Sequence, residues 1–192
     1  MAILYNGTTL QALKYNGITL DKVIYNGTTV YERIEKGTVT FSALGAYMHQ
    51  AYTGTEVGHW LQYSSSTYFD TGYANPIGTN SGTAVIAYPS SGMIRVRCQK
   101  AVSRLTFTCT YGCQSLDALC SIRMWVSKNG AKTSQILYAS GNIGTTKSGS
   151  VNYTFTNLSA GDLIGLIGWA GESNSDRRWS INITNAKFEY TV

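Results

Sequence analysis

The 192-residue sequence has little charge, proline or histidine. Charged residues make up 13% of it, and it contains 2 prolines and 2 histidines. The low charge excludes a long charged helical bundle and a disordered polyelectrolyte, both of which need many ionisable side chains. No run of about 18 apolar residues predicts a membrane-spanning helix. The start, MAILYNGTTL, has no basic stretch before a long apolar one, so we expect synthesis in a cytoplasm.

Motifs of the common enzymes are missing as well. The sequence has no Gly-x-Ser-x-Gly elbow, no His-Glu-x-x-His pair, no phosphate loop and no dinucleotide fingerprint. A glycosidase pair stays open, because two carboxylates can meet in space without a sequence signature. The formal charge of +5 comes from basic residues scattered singly, apart from Arg177-Arg178. We therefore expect no enzymatic activity, no metal, no cofactor, and no nucleic-acid or membrane partner.

Four cysteines, Cys98, Cys109, Cys113 and Cys120, have spacings that match no zinc site, and no histidine lies near them. We interpret them as buried thiols in strands, with a disulfide pair as the alternative. Cys113 is the exception, because it follows Gly112 in a predicted turn.

The residues that are abundant favour strands and tight turns. The sequence has 20 glycines and 14 tyrosines, and short runs of Thr, Val, Ile and Tyr are broken by Asn-Gly and Ser-Gly pairs. This pattern predicts an all-β protein with antiparallel sheets.

A ten-residue repeat occupies the N-terminal segment, as YNGTTL from residue 5, YNGITL from residue 15 and YNGTTV from residue 25. Asn-Gly is the strongest signal for a two-residue hairpin, because a type I′ turn needs positive φ at both central positions. Each copy therefore predicts a hairpin, with Gln11-Ala12 and Asp21-Lys22 turning the chain between copies.

Pairing around each turn gives every hairpin one apolar face: Leu13, Tyr15, Ile18 and Leu20 in the second copy, and Val23, Tyr25, Thr28 and Val30 in the third. Such narrow hairpins are marginal alone. They either pack on the rest of the chain or form an anchoring and oligomerisation surface. The residues of that surface are Tyr5, Asn6, Gly7, Leu10, Leu13, Tyr15, Asn16, Gly17, Leu20, Val23, Tyr25, Asn26, Gly27 and Val30.

The tandem YNGTTL and YNGTTV units resemble repeats of tail, fibre and surface-appendage proteins of tailed bacteriophages. The resemblance covers the repeat segment only. It implies a virion structural protein, made in the host cytoplasm and attached to other virion proteins through these repeats.

Glu35-Lys36-Gly37 ends the repeat pattern and divides the chain into a repeat segment, 1–36, and a β-sandwich, 37–192. Within the sandwich, 37–82 is predicted to be rich in loops, with Val57 to Tyr63 as a short strand candidate, and 83–192 to be regular. The regular part contains eight strand-like runs: Ala84 to Tyr88, Met93 to Gln99, Leu105 to Tyr111, Cys120 to Lys128, Ser134 to Ala139, Val151 to Thr156, Leu163 to Ala170, and Trp179 to Tyr190 with an interruption.

Eight runs at short spacing predict an antiparallel sandwich with the form of a jelly roll. A turn at Leu158 to Asp162 before an apolar strand, and a last strand ending in Phe188-Glu189-Tyr190, resemble the jelly-roll heads of fibres and of tumour-necrosis-factor and complement-type trimers. This resemblance implies a homotrimer.

Aromatic and charged residues in loops suggest a binding edge. Trp125 and Trp169 lie inside apolar runs and are predicted to be core. The candidate ligand-binding residues are Trp60, Tyr63, Tyr68, Asp176, Arg177, Arg178 and Trp179.

These observations predict a non-enzymatic phage virion protein, either a head-surface decoration or head fibre or a tail appendage. Its repeats would anchor it and its sandwich would be displayed. The alternative is a carbohydrate- or receptor-binding module of a tail tip or a bacterial surface system, which would contact a host cell-surface glycan.

Overall fold

The computed structural model describes residues 4–5, 8–9, 13–20, 22–42, 45–50, 77–88, 94–115, 120–171 and 177–192. Every regular element in these ranges is a strand, so this part of the chain contains no helix able to span a membrane. Hairpins come first, and two large antiparallel sheets form a sandwich after them. The predicted fold class is confirmed.

Three separate hairpins make up the repeat segment. Their strands are β1 (Leu4–Tyr5) with β2 (Thr8–Thr9), β3 (Leu13–Tyr15) with β4 (Ile18–Leu20), and β5 (Lys22–Tyr25) with β6 (Thr28–Glu32). In the second hairpin φ is 48° at Asn16 and 81° at Gly17, and in the third it is 46° at Asn26 and 75° at Gly27. Positive φ at both central positions is the signature of a type I′ turn, so these two predicted turns are confirmed.

The register of the second hairpin is the predicted one, with Leu13 opposite Leu20 and Tyr15 opposite Ile18. The third hairpin differs, because Val23 pairs with Tyr31 and not with Val30. Val30 is an extra residue at a register shift, and this bulge brings Tyr31 into a buried position, with 4% of its surface exposed.

The predicted turn at Asp21-Lys22 is wrong at its second residue. Lys22 begins β5 and pairs with Glu32. The ladder of the third hairpin therefore extends one pair further than the pattern of three-residue strands predicts.

The two large sheets have antiparallel neighbours throughout. The six-stranded sheet contains β7 (Lys36–Ser42), β8 (Gly45–Gln50), β9 (Ile77–Asn80), β12 (Val102–Ser115), β15 (Thr146–Leu158) and β17 (Arg177–Thr191). The five-stranded sheet contains β10 (Val85–Ala87), β11 (Arg95–Cys98), β13 (Cys120–Lys128), β14 (Ala131–Gly141) and β16 (Leu163–Gly171). Their orders are β15-β12-β17-β7-β9, with β8 beside β17, and β10-β11-β16-β13-β14.

The pairing order of the main strands is that of a jelly roll. The first, β7, pairs with the last, β17, and β11 then pairs with β16. Moving inward along the chain, β12 pairs with β15, and β13 pairs with β14. A long antiparallel hairpin rolled into two sheets gives this nested order, so the predicted jelly-roll topology is confirmed.

The core lies between the two sheets. It is formed by side chains that alternate along the strands with side chains facing away from the core. On β12, Leu105, Phe107 and Cys109 are buried, whereas the threonines between them face away. The Phe107 ring packs against Phe188 of β17, with 4.8 Å between ring centroids. The longest strands of the sandwich thus meet at its centre.

The predicted interruption in the last strand is a β-bulge within a continuous β17. Thr108 pairs with Lys187 and Thr110 pairs with Thr184, so two residues of β17 face Cys109 alone. Asn185, one of the two, has φ 53°. Asparagine tolerates this conformation better than most residues, so the strand bends there without ending.

All eight predicted runs of 83–192 contain a strand, and the described parts of 37–82 contain strands as well. These are β7, β8 and β9, and the candidate Val57 to Tyr63 lies outside the described residues. In β7, Val39 and Phe41 are buried between exposed or half-buried residues. Alternation of this kind indicates a strand. It was not recognised in the sequence because longer alternating runs are rare in 37–82.

The turn before β16 is confirmed and is fixed by one buried carboxylate. Asp162 accepts hydrogen bonds from the Ser159 N–H at 2.8 Å and from the Asn129 side-chain amide at 2.9 Å. Lys128 Nζ lies 2.9 Å from the same carboxylate. These contacts hold the pKa of Asp162 below its usual value, although burial acts in the opposite direction. The Asn129-Gly130 hairpin is therefore tied to the start of β16.

We predict that replacing Gly17 by Val opens the second hairpin. A Cβ at Gly17 meets no atom within 4 Å, so the penalty comes from positive φ alone and is about 1–2 kcal/mol. Amide exchange in 13–20 should rise about tenfold, and exchange in 102–115 should not change. Gly17→Asn, which tolerates the same φ, is the matched control. Equal protection in Gly17→Val and the parent protein would contradict the type I′ turn.

Candidate functional site

The hairpin surface carries large apolar side chains that remain accessible. Tyr15 and Ile18, which face each other across β3 and β4, are 68% and 69% exposed. Tyr25 and Ile24 of the third hairpin are also exposed. An exposed apolar pair such as Tyr15 and Ile18 is typical of surfaces that bind other proteins.

Other predicted anchoring residues have different positions. Leu13, Leu20, Val23 and Val30 are half-buried. The side chain of Tyr5 and the residues Asn6, Gly7 and Leu10 lie outside what the structure describes. In the second and third hairpins, the accessible part of the predicted surface is therefore the end near the turn.

The second and third hairpins contact each other through Tyr31. The Leu13 N–H donates a hydrogen bond to the Tyr31 hydroxyl at 3.1 Å. Because this hydroxyl belongs to β6 and the donor to β3, the two hairpins are joined and are not independent units.

Glu35 attaches the end of the repeat segment to the sandwich. Its carboxylate accepts hydrogen bonds from the Ala84 N–H at 3.1 Å, the Thr83 N–H at 3.3 Å and the Tyr190 hydroxyl at 3.2 Å. Lys100 Nζ lies 2.5 Å from it. Four groups distant in sequence thus converge on one carboxylate.

The backbone around Glu35 also contributes to its attachment to the sandwich. Val192 N–H donates to the Glu35 carbonyl at 2.9 Å. A Cβ at Gly37 or at Gly82 would overlap the Tyr190 hydroxyl, so both glycines are needed for the ring to reach Glu35. Sequence analysis interpreted Glu35-Lys36-Gly37 only as a junction and did not predict this network.

Glu35 is charged over a wide pH range. The ion pair with Lys100 and the two backbone donors lower its pKa from 4.5 to about 2, against the opposing effect of burial. A charged carboxylate is the form that can accept all these hydrogen bonds.

Most side chains of the predicted ligand-binding edge lie outside what the structure describes. Trp60, Tyr63, Tyr68 and Asp176 lie outside the described residues, and so do the side chains of Arg177, Arg178 and Trp179. The backbone of the last three begins β17, where they pair with Gln50, His49 and Met48 of β8. Arg177 and Arg178 therefore lie on a strand and not in a loop, whereas Trp179 lies in the last strand as predicted.

Trp125 is buried, as predicted, but it is not in the main core. Ile122, Met124 and Val126 on the same strand face the core, and Trp125 lies out of phase with them. Its ring is covered by Lys132, whose Nζ is 4.2 Å from the ring centroid. The side chain of Trp169 is outside the described residues.

A second feature that sequence analysis missed is the Tyr88 clasp, formed by Tyr88, Arg95 and Arg97. The guanidinium carbons of Arg95 and Arg97 lie 5.0 Å and 4.0 Å from the centroid of the Tyr88 ring. The signal in the sequence was the period of two in Arg95-Val96-Arg97, which puts both arginines on one sheet face.

Three of the cysteines are buried free thiols, as predicted for packing residues. Burial raises the pKa of Cys98 to about 11 and that of Cys109 to about 12, which makes both unreactive. Cys113 lies within β12 and not in a turn, because Gly112 pairs with Ser148 and Asn182 in mid-sheet. The side chain of Cys120 is not described.

A search for groups of three or more His, Cys, Asp or Glu side chains able to hold a metal finds none among the described residues. The candidate binding features formed by the described residues are the exposed apolar residues of the hairpins (Tyr15, Ile18, Ile24 and Tyr25), the Glu35 network and the Tyr88 clasp.

No protein-family model matches the sequence, and a search of curated proteins finds no match. Solved structures with a similar fold include Eiger TNF from S. frugiperda, at 9% identity and a TM-score of 0.40, covering 82% of this chain and 91% of that one. Murine APRIL at pH 5.0 has 10% identity and a TM-score of 0.40, covering 77% and 98%. The globular domain of zebrafish complement 1qA has 12% identity and a TM-score of 0.37, covering 77% and 96%.

We predict that Glu35→Gln destabilises the protein in a pH-dependent way. Because the folded pKa lies below the ordinary 4.5, the stabilisation is complete above pH 4.5 and disappears as the pH falls towards 2. Urea unfolding should show a loss of about 1–2 kcal/mol at pH 7, reduced for partial exposure, and almost none near the folded pKa. Glu189→Gln, which removes an exposed pair with Lys187, should cost less than about 1 kcal/mol. A pH-independent loss would argue against the charged network.

Reduction should leave the protein almost unchanged, because the described thiols act by packing. The melting temperature with and without reductant should differ by less than about 4 °C, the shift that about 1 kcal/mol produces in a domain of this size. Elemental analysis should find no bound zinc. A larger fall on reduction, or one zinc per chain, would show a covalent or metal role for the cysteines.

Proposed function

We propose that this chain is a non-enzymatic structural protein of a tailed-phage virion, a head-surface decoration or head fibre or a tail appendage. Its repeat hairpins attach it to other virion proteins, and its jelly roll is displayed. The observation that carries the proposal is the accessible apolar end of the hairpins, Tyr15, Ile18 and Tyr25, on elements too small to bury these groups themselves.

The position of Glu35 supports a division between attachment and display. Ile34 is exposed, whereas Glu35 is bound to the sandwich by side-chain and backbone contacts. The contacts that hold the jelly roll together therefore begin at Glu35, and the attachment function belongs to the residues before it.

We further propose that the chain assembles as a homotrimer. Closed symmetric assembly is the common way to cover an apolar patch that a monomer leaves accessible, and a trimer is the assembly implied by the resemblance of the last strands to jelly-roll fibre heads. A surface-binding role for the displayed jelly roll, towards a host cell-surface glycan, is the second candidate function. The Tyr88 clasp favours it, because arginines held at a sheet surface are suited to recognise anionic groups.

Deletion of residues 1–34 tests the attachment role. We predict that the truncated chain keeps the melting temperature of the sandwich but no longer associates with virions, as measured by co-sedimentation with particles that lack the protein. Light scattering at micromolar concentration should show an oligomer for the full chain and a smaller species after truncation. Gly17→Asn in the full chain is the control that should still bind.

Two results would overturn this proposal. One is normal decoration of particles by the truncated chain. The other is a strictly monomeric mass of the full chain, which would remove the support for assembly through the hairpins.

A further inference from the structure

Three Asn-Gly turns of this protein have the same backbone conformation. The angle φ is 48° at Asn16, 46° at Asn26 and 52° at Asn129, and the glycine after each of them has φ between 75° and 83°. All three asparagines are exposed, and a Cβ on any of the three glycines would meet no atom within 4 Å. The turns are therefore alike in shape and in access to the backbone nitrogen of the glycine.

The side chain of Asn129 is held in place by hydrogen bonds. Its amide nitrogen donates to the Asp162 carboxylate at 2.9 Å, and its oxygen accepts from the Leu163 N–H at 2.8 Å. The Asn129 N–H also donates to the Leu163 carbonyl at 2.7 Å. Lys128 and the Ser159 N–H hold the carboxylate in turn. Rotation of the Asn129 side chain would break two bonds, one of them to a charged group.

Asn16 and Asn26 lie on hairpins that hold them less firmly. Each follows a tyrosine, Tyr15 or Tyr25, that is 68% exposed, so little packing restrains the turn. Among the residues that the structure describes, no contact includes a hydrogen bond from either asparagine side chain. Narrow hairpins of this kind also open locally at low cost in free energy. The two side chains can therefore rotate, and the backbone around them can change conformation.

An asparagine that precedes glycine can react with its own main chain. The backbone nitrogen of the glycine attacks the side-chain carbonyl carbon, Cγ, so that a nitrogen–carbon bond forms and the bond from Cγ to the amide nitrogen breaks. Ammonia leaves with the proton that the glycine nitrogen gives up, and a cyclic succinimide remains. Water then opens the ring at one of its two carbonyl carbons and gives aspartate or isoaspartate. Glycine favours the attack because it has no side chain to shield its nitrogen.

We propose that Asn16 and Asn26 are sites of spontaneous conversion to isoaspartate and aspartate, and that Asn129 is protected by its bonds to Asp162 and Leu163. The reaction requires the asparagine side chain to turn towards the nitrogen of the following glycine. This movement is available in the hairpins, whereas two hydrogen bonds oppose it at Asn129. The inference does not depend on virion attachment.

The products change the hairpin surface in two ways. Both carry a carboxylate, so each converted turn gains a negative charge beside the exposed Tyr15 or Tyr25. In isoaspartate the main chain runs through Cβ and Cγ and is one atom longer. This longer chain does not fit a two-residue turn between the paired Tyr15 and Ile18. Isoaspartate at position 16 therefore opens the second hairpin.

Incubation of the full chain in mildly alkaline buffer, followed by tryptic peptide mapping, tests the proposal. Cleavage after lysine and arginine puts the three sites in separate peptides, 15–22, 23–33 and 129–132. In the first two peptides we expect the mass gain of an amide-to-acid exchange and labelling by an isoaspartyl methyltransferase. The rate at Asn129 should be at least about tenfold lower, because two hydrogen bonds must break before its side chain can react.

The same chain incubated in concentrated guanidinium chloride is the matched control. Unfolding removes the bonds of Asn129, so the three sites should convert at rates within about threefold of one another. Asn16→Gln should remove the signal from 15–22 and leave that of 23–33 unchanged, because attack on glutamine needs a larger ring that forms more slowly. Asp162→Asn removes the charge of the acceptor and should raise the rate at Asn129 several-fold. If this variant melts at a much lower temperature, the comparison of folded and unfolded parent chain replaces it.

Amide exchange of the incubated chain measures the effect on the hairpin. Exchange in 13–20 should rise with isoaspartate content, and exchange in 102–115 should not change. Three outcomes would overturn the proposal: no conversion of Asn16 and Asn26 in the folded chain when the unfolded chain converts, conversion of Asn129 as fast as that of Asn16, or unchanged exchange in 13–20 at high isoaspartate content. Because these assays use no virions, their failure is distinguishable from failure of the attachment experiment.

Discussion

The pairing of β7 with β17 is the contact on which the rest of the sandwich depends. It joins the first main strand to the last, from Lys36 opposite Thr191 to Thr40 opposite Lys187. β17 also pairs with β12 along nearly its whole length, so it connects the first main strand to the rest of the six-stranded sheet. The same contact places Tyr190 beside Gly37 and so allows its hydroxyl to reach Glu35. The pairing of β7 with β17 therefore both joins the first and last main strands of the jelly roll and positions Tyr190 to bind the end of the repeat segment.

Alternation explains how so uncharged a sequence can present a polar surface. Along β12 the buried Leu105 and Phe107 alternate with threonines, and Thr106 faces Thr154 of β15 at 3.0 Å between hydroxyl oxygens. Threonine suits this position for two reasons: its branched side chain favours strands, and its hydroxyl can form a hydrogen bond to the neighbouring strand. The six-stranded sheet therefore faces water with hydroxyl groups, and the basic residues stacked on aromatic rings are on the other sheet.

Local signals predicted most of the fold. Asn-Gly pairs identified the turns of the second and third hairpins, and short runs of strand-forming residues identified the main strands after residue 83. Contacts between distant residues had no such signal. The bulge at Val30 accompanies the burial of Tyr31, and the Glu35 network joins residues as far apart as 35 and 190. Cys113 was misjudged for a similar reason: Gly112 looks like a turn residue, but partners on both sides keep it in a strand. Of the proposed sites, the hairpin faces were predictable, whereas the Tyr88 clasp required knowledge of which strands pair.

The hairpins and the jelly roll differ in how much burial stabilises them, and this difference affects how the hairpins could bind a partner. Strands of the jelly roll are held by a core of buried side chains drawn from both sheets. The second and third hairpins are each closed by their own turn, and their large side chains near the turn gain little from burial within the chain. Elements of this kind open locally at low cost in free energy. A surface that covered Tyr15, Ile18 and Tyr25 would supply the burial they lack, so ordering of the hairpins and binding to that surface would stabilise each other. Glu35 is the residue through which such coupling would reach the jelly roll, because its carboxylate joins the end of the repeat segment to Ala84, Lys100 and Tyr190.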